Sequence, residues 1–333
     1  MAEMMRARVI LHTGGPGVFE PAEVPVPMPT GHQVLVKIAA TSVNPIDCKV
    51  RSGAVALLPP YPAILHGDLS GTVAACGPEA TRFREGDSVF GFVGWIGGEG
   101  GALAEYAVCD ERLLARAPKS LPLEQAAVLP VGALTAYGAL QRKVQVRPGH
   151  LVLVHGGAGG VGHYGIQLAK ACGAAVAATV GSEEHEAVAR TCGADWVIRH
   201  DQLAVPEYVH AIAGGRGFDI VFDTAGGANL ARSFEAARPG GSIVTSAARV
   251  TMDLTPMHAK GLNLLVVFLL LPILTGEGRE DLGKDLEMLA AMVDEGRLRP
   301  VVFPRTFTLN EIADAHRLLE SGRHYGKILV SMS

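Results

Sequence analysis

The segment Leu151 to Gly162 (LVLVHGGAGGVG) constrains the fold more than any other part of the chain. It reads as a buried strand that enters a glycine-rich turn and opens a helix. Gly157, Gly159 and Gly162 satisfy the G-x-G-x-x-G spacing: the first glycine admits a tight turn, the second lets backbone approach a pyrophosphate, and the third lets helix pack on strand. Ala158, Gly160 and Val161 complete the loop. The helix expected from about Val161 to Cys172 carries Ile166, Leu168 and Ala169, and directs its free N–H groups and its dipole at phosphates. In a chain with 41 glycines the spacing alone would be weak. The context raises it above a merely structural turn, because Gly173 leads into a second strand, Val176 to Val180, and the whole is expected to be a dinucleotide-binding unit.

The tip of that second strand separates the two nicotinamide cofactors. An NAD site places a carboxylate there for the ribose 2′-hydroxyl, whereas this chain has Val180, Gly181 and Ser182. Ser182 can donate a hydrogen bond and His185 can carry positive charge, which suits a 2′-phosphate and favours NADPH. Two features pull the other way. Ser182 equally suits the N-cap of a helix over Glu183–Cys192, and Glu183 and Glu184 in its first turn would repel a phosphate.

At 333 residues the chain exceeds the usual single domain, and two are expected. A net charge of −4 offers no basic surface for nucleic acid. The five cysteines show no paired short spacing, which fits a reduced, cytoplasmic setting better than a disulfide framework. The N-terminus lacks the apolar core of a signal peptide. The longest apolar run, Leu262 to Leu274, is too short to span a membrane and is broken by Asn263 and Pro272. It suits a strand, Leu264–Leu270, at a sheet edge or a subunit contact.

Short β-branched runs at Ala7–Leu11, Val34–Ala40, Gly71–Ala75, Ser88–Phe92 and Ala104–Val108 predict an antiparallel β domain. From about Val128 strands alternate with helices. The strands expected at Leu151–Val154, Val176–Val180, Trp196–Ile198, Asp219–Asp223 and Ser242–Ser246 predict a doubly wound parallel sheet, an α/β architecture. Leu286, Leu289, Ala290 and Val293 mark an amphipathic helix over Lys284–Asp294. A helix from near Asn310 and a strand Lys327–Val330 close the chain.

The chain resembles the medium-chain dehydrogenase/reductase superfamily, and within it the zinc-independent quinone oxidoreductases (zeta-crystallin-like). The glycine loop, Ser42–Gly53 (SVNPIDCKVRSG), Pro62–Gly71 (PAILHGDLSG), Gly86–Val89, Leu129–Tyr137 (LPVGALTAY) and Gly326–Leu329 carry the resemblance. It implies a GroES-like catalytic domain over 1–127 and 265–333, a Rossmann domain over 128–264, and an active-site cleft where they meet. Zinc alcohol dehydrogenases place metal ligands where this chain has Asn44, Gly67 and Val131, which cannot supply a catalytic zinc site. The four cysteines of a structural zinc lobe are missing too, since Phe92–Ala115 holds only Cys109. Cys48, His66 and Asp68 lie near the lost site but are not expected to bind metal.

Without a Lewis acid, hydride transfer to a quinone or an α,β-unsaturated carbonyl suits the site better than alcohol–ketone interconversion. Asn44 is the expected substrate- or nicotinamide-orienting donor, unless it is simply a turn residue before Pro45; Lys49 and Tyr61 are weaker candidate donors, and Asp47 is expected to hold the loop. Further cofactor contacts are implied by the resemblance at Thr135, Ala225, Gly226, Ser246, Ala247, Phe268, Leu269, Arg323 and Lys327. The chain departs from the family in having His185 where lysine is frequent and His200 where a tyrosine often stacks near the adenine. An enoyl-thioester reductase and a non-catalytic, crystallin-like NADPH-binding protein are the alternatives, and a homodimer through Leu264–Leu271 is expected.

Overall fold

The computed structural model describes residues 3–98 and 100–332. They form two units: Met1–Leu134 with Leu270–Gly296 and Val302–Ser333, and Thr135–Leu269 with Arg297–Val301.

The first unit is β-rich. Strands β1 (Met4–Ile10), β2 (Phe19–Pro25) and β4 (Ala63–Ile64) form a small antiparallel sheet in the order β2-β1-β4. A seven-stranded sheet is built on β3 (Gln33–Val43), which pairs antiparallel with β5 (Asp68–Cys76), β7 (Tyr106–Asp110) and β16 (Ile328–Ser331). It is extended by β6 (Ser88–Phe92) and β8 (Leu114–Arg116) on one side and β15 (Phe307–Thr308) on the other. Val34, Val36, Leu65, Leu69, Phe92 and Trp95 are among the buried side chains of its core.

Register positions the chemistry. Ala40 pairs with Ser70 across β3 and β5, so Asp68 falls beside Ser42. Val43 pairs with Ile328 across β3 and β16, so Lys327 falls beside Asn44. A one-residue slip of either pairing would turn these side chains to the other face.

The second unit holds six parallel strands: β9 (Leu151–His155), β10 (Ala175–Val180), β11 (Trp196–Arg199), β12 (Phe218–Asp223), β13 (Ala237–Thr245) and β14 (Asn263–Val266). Their order is β11-β10-β9-β12-β13-β14, the Rossmann order, and its switch point lies between β9 and β12. Val152, Leu153 and Val154 are fully buried in succession, as a strand covered by helices on both faces requires.

Two segments depart from the expectation. The residues after Asn44, expected as a loop, form a helix, Pro45–Arg51, because Pro45 supplies the first helical φ and Asp47 at the third position accepts the Asn44 backbone N–H at 2.8 Å. The apolar run does not continue as a strand to Leu270. It pairs only over Asn263–Val266, after which Pro272 opens a short helix, Leu271–Thr275, and Leu270 and Ile273 enter the core of the first unit.

Candidate active site

In the first unit the site is built around one buried carboxylate. Asp68 Oδ2 accepts from Ser42 Oγ at 2.5 Å, Asn44 Nδ2 at 2.8 Å and Lys327 Nζ at 3.2 Å, while Oδ1 accepts the Val131 backbone N–H at 2.8 Å. Lys327 Nζ also donates to Asn44 Oδ1. Asn44, Asp68 and Lys327 are all nearly excluded from solvent, so the ion pair is stable only because every oxygen of the carboxylate has a donor. The Asn44 side chain can leave its own helix terminus because Asp47 N–H bonds the Asn44 carbonyl instead. Asp47 is wholly buried and its Oδ1 has no partner, and burial pushes its carboxyl up to about 8.

A second buried array backs this one. Arg51 Nη1 lies 3.3 Å from His316 Nδ1, His316 Nε2 lies 2.9 Å from His66 Nε2, and His66 Nδ1 lies 3.3 Å from Thr41 Oγ1. Thr41 Oγ1 donates to the Asp68 carbonyl at 2.6 Å. Burial, then the charge of Lys327, holds His66 down to about 3, and burial also lowers His316, so both rings are neutral. An arginine can only donate, which assigns the proton of His316 to Nε2 and that of His66 to Nδ1. The chain of donors therefore runs in one direction, from Arg51 to the backbone of Asp68. His66 holds this place at φ +74°, a conformation costly for any residue but glycine.

In the second unit the loop after β9 turns at Gly156, with φ +71°, one residue ahead of the glycine expected to admit the turn. A Cβ on Gly157 would meet that of Ala178 at 2.7 Å, and one on Gly162 would meet the Gly156 carbonyl oxygen at 2.1 Å. Both positions are thus closed to any side chain. The N–H groups of Ala158, Gly160 and Val161 donate to no acceptor among the described residues and precede the helix Gly162–Ala171. Free donors at a helix N-terminus, on a loop closed to side chains at Gly157 and Gly162, fit a pyrophosphate. His155 closes β9: it is buried, its Nδ1 lies 3.0 Å from Thr179 Oγ1, and its carbonyl accepts Thr224 Oγ1 at 2.6 Å.

Val180, Ala225–Gly226 and Ser246–Ala247 follow or end β10, β12 and β13, so they share one edge of the sheet with the glycine loop. Asp223 shapes this edge by accepting the N–H groups of Ala225 and Gly226 at 3.0 and 2.8 Å and the Ser233 hydroxyl at 2.7 Å. Gly226 is pressed against Ala247, whose carbonyl oxygen a Cβ would meet at 2.2 Å. Ser182 caps the helix Glu183–Thr191, accepting the His185 N–H at 3.2 Å and keeping its own proton free to donate. His200 is exposed beside Gly181, Phe268 and Leu269 follow β14, and Thr135 is buried at the start of this unit. In the first unit, Lys49, Tyr61 and Arg323 are exposed and stand outside the Asp68 network, whereas Lys327 lies within it.

A GroES-like β unit with a Rossmann unit inserted in the chain defines a pyridine-nucleotide oxidoreductase. The chain matches the model for an alcohol dehydrogenase GroES-like domain over residues 30–119 and that for a zinc-binding dehydrogenase over 192–330. It is 31% identical to human quinone oxidoreductase over 323 residues, which cover 96% of this chain and 95% of that protein. Two solved structures are also similar. One, of an NAD-dependent alcohol dehydrogenase, is 32% identical with a TM-score of 0.89 over 99% of this chain and 100% of that one. The other, a mycobacterial protein complexed with NADPH, is 28% identical with a TM-score of 0.87 over 98% and 99%. The chain belongs to the zeta-crystallin-like quinone oxidoreductase family of the medium-chain dehydrogenase/reductase superfamily.

The zinc that the zinc-binding dehydrogenase family implies does not fit the residues present. A Cβ on Gly67 would lie 2.4 Å from the Phe92 ring and 3.0 Å from Trp95 Nε1, so no ligating side chain can stand there. Asn44 and Asp68 are already committed to Lys327, and Val131 contributes only its N–H. Among the described residues, no three His, Cys, Asp or Glu side chains are grouped so as to hold a metal ion.

The sequence left Asp68 as no more than a neighbour of a lost metal site. Its position at the start of β5, among Leu65, Leu69 and other buried apolar residues, is the signal that marks a carboxylate needing buried partners.

Proposed function

We propose that this chain is an NADPH-dependent, zinc-independent reductase that transfers a hydride to a quinone or to the β-carbon of an α,β-unsaturated carbonyl. The observation that carries the reading is the Asp68–Asn44–Lys327 array, a fixed cation and amide where a metal centre would need free ligands. The nicotinamide cofactor, when bound, supplies the hydride. The loop Gly157 to Gly162 holds its pyrophosphate through the N–H groups of Ala158, Gly160 and Val161. The absence of a carboxylate at Val180 and the free proton of Ser182 support NADPH, with His185, His200 and Arg323 as further polar groups for the nucleotide. Thr135, Ala225, Gly226, Ser246, Ala247, Phe268 and Leu269 are assigned to the cofactor's remaining length. Asn44 orients the acceptor or the nicotinamide, and Lys327 sets the local field in which negative charge develops on the acceptor oxygen. Lys49 and Tyr61 are assigned as donors from exposed positions.

Hydride transfer is tested by following NADPH absorbance with 1,4-benzoquinone, 9,10-phenanthrenequinone, an enone, crotonyl-CoA and a simple aldehyde, each repeated with NADH. Turnover of quinone or enone with NADPH is expected. Turnover of crotonyl-CoA alone would favour an enoyl-thioester reductase, and cofactor binding without turnover a non-catalytic role.

The edge strand β14 and the residues after it expose Val266, Phe268, Leu271 and Leu274. An unpaired edge flanked by apolar side chains supports a homodimer through this segment, in a cytoplasmic protein. Light scattering is expected to return twice the chain mass at micromolar concentration, and a monomer would refute it.

A further inference from the structure

Arg199 ends β11 in register with Val180, the residue at the tip of β10. Its side chain is 18% exposed and forms a two-point contact with Asp201, Nε to Oδ1 at 3.0 Å and Nη2 to Oδ2 at 2.8 Å. Glu183 and Glu186, in the first turn of the helix capped by Ser182, also act on its charge. His200 follows it, with Nε2 3.2 Å from where a Cβ of Gly181 would lie. A guanidinium, an imidazole and a hydroxyl are therefore grouped around the tip of the strand at which a Rossmann fold distinguishes the two adenine riboses.

Of these groups, Arg199 alone carries a permanent charge and the planar donor fork that matches a phosphate. Its present partner is a weak competitor. Asp201 is 45% exposed, and an exposed ion pair contributes little, so a phosphate bearing close to two charges can displace it. The acids have a cost of their own: Asp201, Glu183 and Glu186 lower the positive potential that a 2′-phosphate would meet, and they discriminate against that phosphate whenever Arg199 is turned to Asp201. We infer that Arg199 is the residue that sets NADPH over NADH, by exchanging its salt bridge to Asp201 for the 2′-phosphate of the cofactor. The assignment rests on the NADPH reading above. No bond is made or broken in this exchange, only the partner of the guanidinium.

The test is the ratio of NADPH to NADH affinity, measured by fluorescence titration of the full-length protein and of two variants, with 2′,5′-ADP and 5′-AMP as a second ligand pair. Arg199→Ala is expected to lower the ratio at least tenfold and to weaken 2′,5′-ADP more than 5′-AMP. Asp201→Asn frees the guanidinium and is expected to raise the ratio severalfold; because Asp201 is exposed, this variant is a check in which loss of folding cannot imitate the result. A wild-type ratio above one that neither substitution moves would overturn the assignment of Arg199 while leaving the NADPH reading intact. A wild-type ratio below one would overturn the NADPH reading, and the assignment with it.

Discussion

At the scale of single residues the account rests on Asp68. Three donors share its Oδ2 and a backbone N–H takes Oδ1, so the carboxylate compensates the buried ammonium of Lys327 and fixes the amide of Asn44. Asp68→Asn would keep the shape and leave that ammonium without its counter-charge. Removing one partner of a buried pair costs about 3–5 kcal/mol, and chemical denaturation should report a loss of this size. A loss below about 1 kcal/mol would mean that Lys327 is not held as described. The sequence singled out Asn44 and Gly67 through the resemblance, as positions where zinc relatives carry ligands. The Asp68–Lys327 pair was not legible there, because it joins residues far apart in the chain. Nor was the chain through His316 and His66, since no local pattern announces a histidine at positive φ.

At the scale of elements, the glycine loop and the parallel strands were readable because period, turn chemistry and order all agree. The helix Pro45–Arg51 was missed although Asn44, Pro45 and Asp47 are its start signals, since only seven residues follow and their period is too short to see. That helix carries a pH dependence. Asp47 faces Asn44 within its own turn and the charges of Asp68 and Lys327 from β5 and the C-terminal segment, and burial dominates, placing its carboxyl at about 8 against an ordinary 3.8. A carboxyl raised in the folded state contributes stability that is fully present below the unfolded value, near pH 4, and is lost as pH rises through about 8. The slope over that window is at most about 1.4 kcal/mol per pH unit. Asp47→Asn keeps an acceptor for the Asn44 N–H and removes the titration. Urea denaturation on either side of neutrality should therefore show the variant gaining on the wild type as pH rises; parallel curves would place Asp47 ionised in the fold.

At the scale of the whole molecule, the chemistry is divided between two units. The Rossmann unit offers free backbone donors at the end of β9 and a strand tip without a carboxylate, the features assigned above to the nucleotide. The GroES-like unit offers a buried cation and an oriented amide held on one carboxylate. Family membership fixes the class of oxidoreductase, and the residues at positions 44, 67, 131 and 327 argue which branch of its chemistry this chain performs. The sequence conveyed the division into units because its texture changes between them, from short β runs to alternating strands and helices. It did not convey the true extent of the Leu262–Leu274 run, where apolar character alone does not tell an edge strand from a helix that joins the core.

The central claim is hydride transfer to a conjugated acceptor without zinc, and the most direct measurement joins metal content to turnover on one preparation. Reduction of 9,10-phenanthrenequinone by NADPH should proceed at an undiminished rate after treatment with a strong chelator, in protein whose elemental analysis returns far less than one zinc per chain. Stoichiometric zinc whose removal abolishes turnover, with oxidation of a simple alcohol as the better reaction, would contradict the account.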